Sequence, residues 1–298
     1  MMKKSLAMMT AAVMVAGALA GCGSSSSTPA ATTAAATEAA TTAAATDAAT
    51  TEAAGDTAAA AEGTVKTPSG KFTVGFDQEF PPMGFVGDDG QFTGFDLDLA
   101  KEVASRLGLE FVPQPINWDA KDMELDSGNI DCIWNGFTMQ GREDDYTWVG
   151  PYMANNQVFV VTADSDIASK ADLAGKAVEV QKDSSGLAAL QGEAELSASF
   201  GSMTEVADYN TALMDLESGA CDAVCMDSIV AGYQIKSSGK DMKILDDTLS
   251  AEEYGIGFKK GEDALAKAVH DTLMEMKDDG TIAKISNDWF GSDVFTLK

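Results

Sequence analysis

Two stretches of the chain share one pattern, and this repeat limits the fold more than any other feature. Residues 125–134 read LDSGNIDCIW, and residues 216–225 read LESGACDAVC. In each copy a helical pattern ends at a Gly, and an Asp then opens a short apolar run. A Gly after the last helical residue is typical of a helix C terminus, and such a run suits a strand buried on both faces of a parallel sheet. The repeat therefore predicts two related helix-to-strand units in an α/β fold.

Polar residues follow both predicted strands. Ligands of open parallel sheets bind beyond the carboxyl ends of the strands. These positions hold Asn135, Gly136, Thr138 and Arg142 in the first unit and Asp227 in the second. An Arg offers a bidentate fork to a carboxylate, and an Asp accepts hydrogen bonds from an ammonium group. The two units together predict a pocket for a zwitterion between two lobes.

The charge of the chain limits its partners. Its 298 residues include 47 Asp and Glu against 20 Lys and Arg, a formal net charge of -27. This acidity disfavours nucleic acid and electrostatic adhesion to anionic membranes. The single histidine, His270, lies in an ordinary helical pattern and is interpreted as a half-exposed helical residue. We expect no metal site and no cofactor.

The four cysteines lack the spacing of a disulfide framework. Cys132, Cys221 and Cys225 are predicted to be small buried hydrophobic residues, with metal binding as the less favoured interpretation. The fourth, Cys22, belongs to an N-terminal export signal.

Residues 1–22 are predicted to be a lipoprotein signal peptide. Two lysines precede an apolar segment that is shorter than a membrane span. The segment ends in LAGC at Cys22, which resembles the bacterial lipobox, where the cysteine is diacylated and becomes the mature N terminus. Residues 23–67 are mostly Ala, Thr and Ser, and they cannot bury enough apolar surface to offset their ordering entropy. They are predicted to form a disordered tether.

The folded part is predicted to cross twice between its lobes. Residues 68–153 and 255–298 form lobe 1, and residues 154–254 form lobe 2. The crossings near residues 152–157 and 252–255 would act as the hinge. Within lobe 2, Ser184 and Ser185 open a helix whose backbone N–H groups could hold a carboxylate, although residue chemistry alone favours a plain N-cap.

Several motifs, taken in order, resemble the family 3 extracellular solute-binding proteins, the polar amino acid receptors of ABC importers. They are VGFDQEFPPMGF, GQFTGFDLDLAKEVASRLG, NGFT with its following Arg, PYM, DLAGKAVEVQ, CDAVCMD, YGIGFKKG and DGTIAKISNDWFG. The resemblance covers about residues 71–291. It implies a type II periplasmic-binding-protein-like clamshell of two lobes, a free amino acid as ligand, a membrane permease as partner and a monomeric state. With the lipid on Cys22, it implies a location at the cell membrane, facing outside.

The resemblance also implies a set of ligand-binding residues from both lobes: Asp77, Phe80, Trp118, Gly136, Thr138, Arg142, Ser184, Ser185 and Asp227. Arg142 would hold the ligand α-carboxylate, helped by Thr138 and by the N–H groups near Ser184 and Ser185. The family commonly has one more residue between its Thr and its Arg, so the loop from Thr138 to Arg142 should be tighter here.

The carbonyl of Gly136 and the carboxylate of Asp227 would bind the α-ammonium. Asp77, Phe80 and Trp118 match positions that line the side-chain pocket, and an acid at Asp77 favours a polar or basic amino acid. Two further departures make the wall of lobe 2 less hydrophilic: Gln181 stands where relatives often have a Lys, and Met226 where some have a polar residue.

The same residues have ordinary structural interpretations. Arg142 precedes an acidic run at residues 143–145, which is also the pattern of a surface ion-pair cluster. Asp227 is a preferred cap for the helix that starts after it. Phe80 and Trp118 suit a plain core.

Two other functions compete with a binding protein. The fold also resembles that of periplasmic cyclohexadienyl dehydratases, in which a pocket carboxylate is the general acid, a role that Asp77 or Glu79 would take. The tether would also suit a surface adhesin, which leaves Arg142 and Asp227 without a role. The pairing of these two residues favours a bound α-amino acid over an enzyme.

Overall fold

The computed structural model describes Thr67 and residues 69–298. The predicted signal peptide with Cys22 and the predicted tether up to residue 66 lie outside these residues. The strands are β1 (Lys71–Phe76), β2 (Glu79–Phe80), β3 (Gly84–Val86), β4 (Phe92–Thr93), β5 (Glu110–Pro115), β6 (Cys132–Thr138), β7 (Tyr146–Thr162), β8 (Ala177–Gln181), β9 (Ser202–Val206), β10 (Ala223–Asp227), β11 (Met242–Ile244) and β12 (Ser250–Lys259).

The helices are α1 (Phe95–Leu107), α2 (Lys121–Asp126), α3 (Ser185–Gly192), α4 (Ala194–Ser199), α5 (Tyr209–Ser218), α6 (Ser228–Ser238), α7 (Asp263–Asp278) and α8 (Thr281–Phe290). Short 3-10 turns cover Trp118–Ala120 and Lys170–Leu173. Trp118 lies on the first of these turns. Among the described residues, no helix is both long and apolar enough to cross a membrane.

One sheet runs through both lobes in the order β5-β1-β6-β12-β7-β10-β8-β9, and β11 pairs with β7. The first lobe contains β1, β5 and β6 with α1, α2, α7 and α8. The second lobe contains β8 to β11 with α3 to α6. Strands β7 and β12 lie between them and belong to both. A separate three-stranded sheet, β2-β3-β4, belongs to the first lobe.

The sheet is mixed, which corrects the prediction of a parallel one. β6 pairs parallel with β1 but antiparallel with β12, and β10 pairs parallel with β8 but antiparallel with β7. The chain turns back into each lobe after its crossing, so one neighbour of each repeat strand runs the opposite way. Every residue of β6 and β10 is buried, as the apolar runs predict.

The repeat units fold as predicted in most respects. α5 ends at Gly219, which adopts the left-handed conformation at φ 78°, and β10 follows. In the first copy α2 ends earlier, at Asp126, so Gly128 lies in the turn that leads to β6. Cys132, Cys221 and Cys225 are buried free thiols, as expected.

The two crossings are one long strand and its antiparallel partner. β7 runs without interruption for 17 residues. Glu252 of β12 lies opposite Asn155 of β7, and Ser250 lies opposite Gln157. The predicted lobe boundaries fall inside these paired strands and stay predictions.

Candidate functional site

The predicted ligand-binding residues come together at the junction of the lobes. Except for Asp77, all of them line one small cavity: Phe80, Trp118, Gly136, Thr138, Arg142, Ser184, Ser185 and Asp227, joined by Gln181. Asp77 lies just outside, in the wall of a wider cleft of about 860 Å³ that shares Trp118 with the cavity. The positions at the ends of β6 and β10 therefore face one space, as the repeat predicts.

Arg142 does not belong to a surface ion-pair cluster. Within the described residues it forms no salt bridge with the acids that follow it. Its Nη1 donates to the carbonyl of Thr138 at 3.1 Å, and the guanidinium lies 5.1 Å from the centre of the Phe137 ring. Residues 139–142 form a tight turn, in which the N–H of Arg142 donates to the carbonyl of Met139 at 3.0 Å. This turn places the Arg142 side chain beside the end of β6. The charge of Arg142 is thus held beside the cavity without an acidic partner.

Asp227 occupies the N-cap position of α6, but its side chain makes no capping hydrogen bond. Its carboxylate is instead turned into the junction, where it accepts from Tyr254 at 2.7 Å, Tyr209 at 3.2 Å and Asn155 at 2.7 Å. Burial and the neighbouring Glu252 carboxylate raise the pKa of Asp227 to about 8. The cap interpretation therefore does not account for this acid.

The two serines do different things. The hydroxyl of Ser184 accepts from the N–H of Leu187 at 3.1 Å, so the N-cap interpretation holds for Ser184. The hydroxyl oxygen of Ser185 lies 3.1 Å from that of Thr138 and accepts from Gln157 at 3.1 Å. Ser185 and Thr138 thus meet across the two lobes.

Gly136 is held by a buried acid. Its N–H donates to Asp96 at 2.7 Å, and Tyr152 donates to the same oxygen at 2.8 Å. Gly136 has φ 57°, and a Cβ there would lie 2.9 Å from Phe80 and 3.1 Å from Tyr254, so only glycine fits. Burial raises the pKa of Asp96 to about 7. The sequence places Asp96 in a family motif but gives no hint of this contact.

Two aromatic residues line one side of the cavity, and one acid lies beside them in the wider cleft. Phe80 is buried against Tyr209, and Trp118 is half-buried with its ring edge-on to Phe137. Both therefore pack in the core and also line the cavity. Asp77 accepts from Gln181 at 2.7 Å, and burial raises the pKa of Asp77 to about 6. Gln181 supplies this neutral donor, and Asp77 forms no salt bridge with any residue that the structure describes.

Ion pairs join the lobes around the site. Lys121 of the first lobe is almost fully buried; its ammonium pairs with Asp183 of the second and lies 5.3 Å from the centre of the Trp118 ring. Lys182 pairs with Asp119 at 2.6 Å between exposed side chains. Sequence reasoning missed these contacts, because they join positions that are distant in the chain.

Glu252 is the other site residue that sequence reasoning missed. Only 6% of it is exposed, and its Oε1 accepts from Thr138 at 2.9 Å, Asn155 at 2.7 Å and Gln157 at 3.0 Å. The sequence indicates only that Glu252 lies near a crossing. Across the described part of the chain, no group of three His, Cys, Asp or Glu residues is arranged to hold a metal ion.

The profile of the bacterial extracellular solute-binding proteins, family 3, matches residues 72–292. The chain belongs to this family. The described architecture of two lobes and two crossing strands agrees with it, so the predicted fold class is confirmed.

Relatives of this family member are amino acid-binding proteins. The L-cystine-binding protein TcyJ of Escherichia coli K12 is 32% identical over 231 residues, which cover 76% of this chain and 84% of TcyJ. A substrate-binding protein of an ABC uptake transporter from Streptococcus pneumoniae, solved with bound histidine, is 34% identical at a TM-score of 0.74, covering 76% of this chain and 95% of its own. An ancestral arginine-binding protein bound to arginine is 36% identical at a TM-score of 0.70, covering 74% and 99%. These relatives are binding proteins rather than enzymes.

Proposed function

We propose that this chain is the substrate-binding protein of an ABC importer and captures a polar or basic amino acid between its lobes. The observation that carries the proposal is that Arg142 and Asp227, from opposite lobes, line one cavity. A zwitterion would place its carboxylate against the unpaired Arg142 and its ammonium against Asp227. The relatives that bind cystine, histidine and arginine support the same class of ligand.

The wider cleft supports a polar or cationic side chain. Its wall carries six acids and a single basic residue: Asp77, Glu79, Asp119, Glu124, Glu205, Asp208 and Lys182. Lys182 is paired with Asp119, so the remaining field is negative. A ligand held at Arg142 and Asp227 would extend past Trp118 into this field, which favours a cationic end over an aliphatic one.

The proposed mechanism is closure of the lobes. Residues 68–153 with 255–298 would move against residues 154–254 about a hinge at residues 152–157 and 252–255. Arg142 and Asp227 can hold one amino acid together only when the lobes are close. The ligand therefore binds the closed state more tightly, and this difference in affinity drives closure.

We further propose that Cys22 carries the lipid that anchors this protein on the outer face of the cell membrane, where it works as a monomer and delivers its ligand to a membrane permease. The LAGC sequence supports the anchor. Several acyl chains on one cysteine would hold it stably, whereas a single chain holds weakly.

A thermal-shift panel of the common amino acids and cystine tests the proposal. A ligand at a hundred times its dissociation constant stabilises by about 2.7 kcal/mol, which is a readily measured rise in melting temperature. We expect the rise with at least one polar or basic amino acid and confirmation by calorimetry. No rise with any member of the panel, or turnover of prephenate or arogenate by the purified protein, would contradict the proposal.

A further inference from the structure

Two buried carboxylates lie side by side at the junction of the lobes. Asp227 ends β10 and Glu252 lies on β12, and they are 3% and 6% exposed. The amide nitrogen of Asn155 donates to both of them, at 2.7 Å in each case. One amide thus bridges the two acids, of which Asp227 lines the cavity.

The surroundings of this pair contain hydrogen-bond donors but no paired cation. Among the described residues, neither carboxylate forms a salt bridge with a Lys, Arg or His. The titratable groups that face it are Tyr209 from α5, Tyr254 from β12 and Cys225 from β10, all neutral near pH 7. Arg142 lines the same cavity but donates to the Thr138 carbonyl. Two like charges this close in a buried site cannot both ionise without a large penalty.

We propose that Asp227 and Glu252 form one two-carboxyl site for the α-ammonium of the ligand, hold a single proton between them before binding, and release it when the ammonium arrives. This inference rests on the proposed function, because the ammonium is that of the captured amino acid. Glu252 is then a further ligand-site residue, supplying the second negative charge. The displaced proton passes to solvent. The positive charge of the ammonium then offsets the repulsion between the two carboxylates, as the proton did before binding.

The chemistry of the neighbours supports the shared proton. Burial and Glu252 raise the pKa of Asp227 to about 8, so below that pH the pair carries one negative charge rather than two. The hydroxyls of Thr138, Tyr209 and Tyr254 donate to carboxylate oxygens without neutralising them. An ammonium group donates hydrogen bonds as these hydroxyls do, and it adds the positive charge that they lack.

Binding should therefore release protons, and calorimetry can count them. L-arginine is the probe, because its amine, guanidinium and carboxylate keep their charges between about pH 5 and 7. At about pH 6.5, binding heats measured in two buffers of different ionisation enthalpy should give close to one proton released per arginine. The dissociation constant should rise nearly tenfold for each unit of pH below the pKa of the pair.

The deciding variant is Glu252→Gln, which keeps the accepting oxygen but removes one charge. It should still bind L-arginine, more weakly, with much less proton release and a flatter pH profile. The matched control is Glu275→Gln, the same change at an exposed position on α7 outside the site and the hinge, and it should behave like the wild type. If the wild type releases no proton, or Glu252→Gln releases as many as the wild type, the proposal is wrong.

A ligand-free measurement separates this inference from the proposed function. A carboxyl whose pKa is raised in the folded protein stabilises it most below its unfolded pKa of about 4, and this stabilisation is lost as pH rises to about 8. The melting temperature of the wild type relative to Glu252→Gln should therefore fall between about pH 5 and 8. If the melting temperatures of the two proteins change with pH in parallel, the pair does not share a proton, whichever ligand binds. The expected fall without any arginine binding would support the shared proton and count against the amino acid function instead.

Discussion

Replacing Arg142 by alanine is the sharpest test of the carboxylate site. The side chain has no acidic partner among the described residues, so its charge is free to pair with a ligand. Truncating one partner of a desolvated, hydrogen-bonded charge pair costs about 2 to 5 kcal/mol of binding. Arg142→Ala should therefore weaken the binding of an amino acid by about thirtyfold to several thousandfold.

The fold should survive this change. The variant loses a hydrogen bond to the Thr138 carbonyl, a longer one of 3.5 Å to the Asp183 carbonyl and the contact with the Phe137 ring, together worth about 1 to 2 kcal/mol at a partly exposed position. That is a modest part of the stability of a domain of this size. Circular dichroism and a cooperative melt close to that of the wild type would show that lost binding reflects a lost contact.

Isothermal titration calorimetry with whichever amino acid shifts the melting temperature measures the effect. The other arginine of the chain provides a matched control, because Arg106→Ala removes ion pairs to Glu102 and Asp279, none of which lines the cavity. It should leave affinity unchanged. If Arg142→Ala binds within about threefold of the wild type, Arg142 does not hold the carboxylate and the assignment fails.

Four further outcomes follow from the site. The Asp77 carboxylate protonates as pH falls through about 6, so affinity for a cationic amino acid should drop more steeply between about pH 7 and 5 in the wild type than in Asp77→Asn, which keeps only the pH dependence of Asp227 and Glu252, as calorimetry would show. Asp183→Asn removes the charge that pairs with buried Lys121 across the lobes. It should weaken ligand binding by roughly fivefold and leave the protein less compact in small-angle scattering at a given ligand concentration. Unchanged compaction would exclude a role of this ion pair in lobe closure. Asp227→Asn should also bind more weakly and close less, which distance labels on the two lobes would report. Cys22→Ser should release the protein from membranes or leave its signal uncleaved, and wild-type protein found wholly free of acyl mass would contradict the anchor.

The elements that the sequence predicts well are those set by local chemistry. α1 ends at Gly108 because that residue adopts φ 69° and its N–H caps the last turn. β6 and β10 are fully buried and therefore appear as unbroken apolar runs. The positions just after these strands could be predicted as site positions, since the end of a strand fixes where the next residues lie.

The features that the sequence does not reveal depend on pairing between distant segments. The direction of β12 beside β6 decides that the sheet is mixed, and no local pattern encodes it. The register of β7 and β12 places Glu252 opposite Asn155 and so decides which side chains it contacts. In the sequence, Lys121 has the pattern of an ordinary surface lysine, and its ion pair with Asp183 of the other lobe is visible only in the structure. Such contacts could be recognised only once the lobes were set against each other.

In the proposed mechanism, the position of Glu252 would link binding to the angle between the lobes. It lies on a crossing strand and accepts from Thr138 of the first lobe, while its Oε1 is also 3.5 Å from the hydroxyl of Ser185 in the second. Asn155 and Gln157, its other donors, project from the same face of the partner strand because side chains two apart share a face. A change of angle at the crossing must therefore alter the hydrogen bonds of Glu252. A ligand ammonium beside Asp227 would also change the charge shared by Asp227 and Glu252. The hydrogen bonds of Glu252 would therefore depend both on whether the ligand is bound and on whether the lobes are closed.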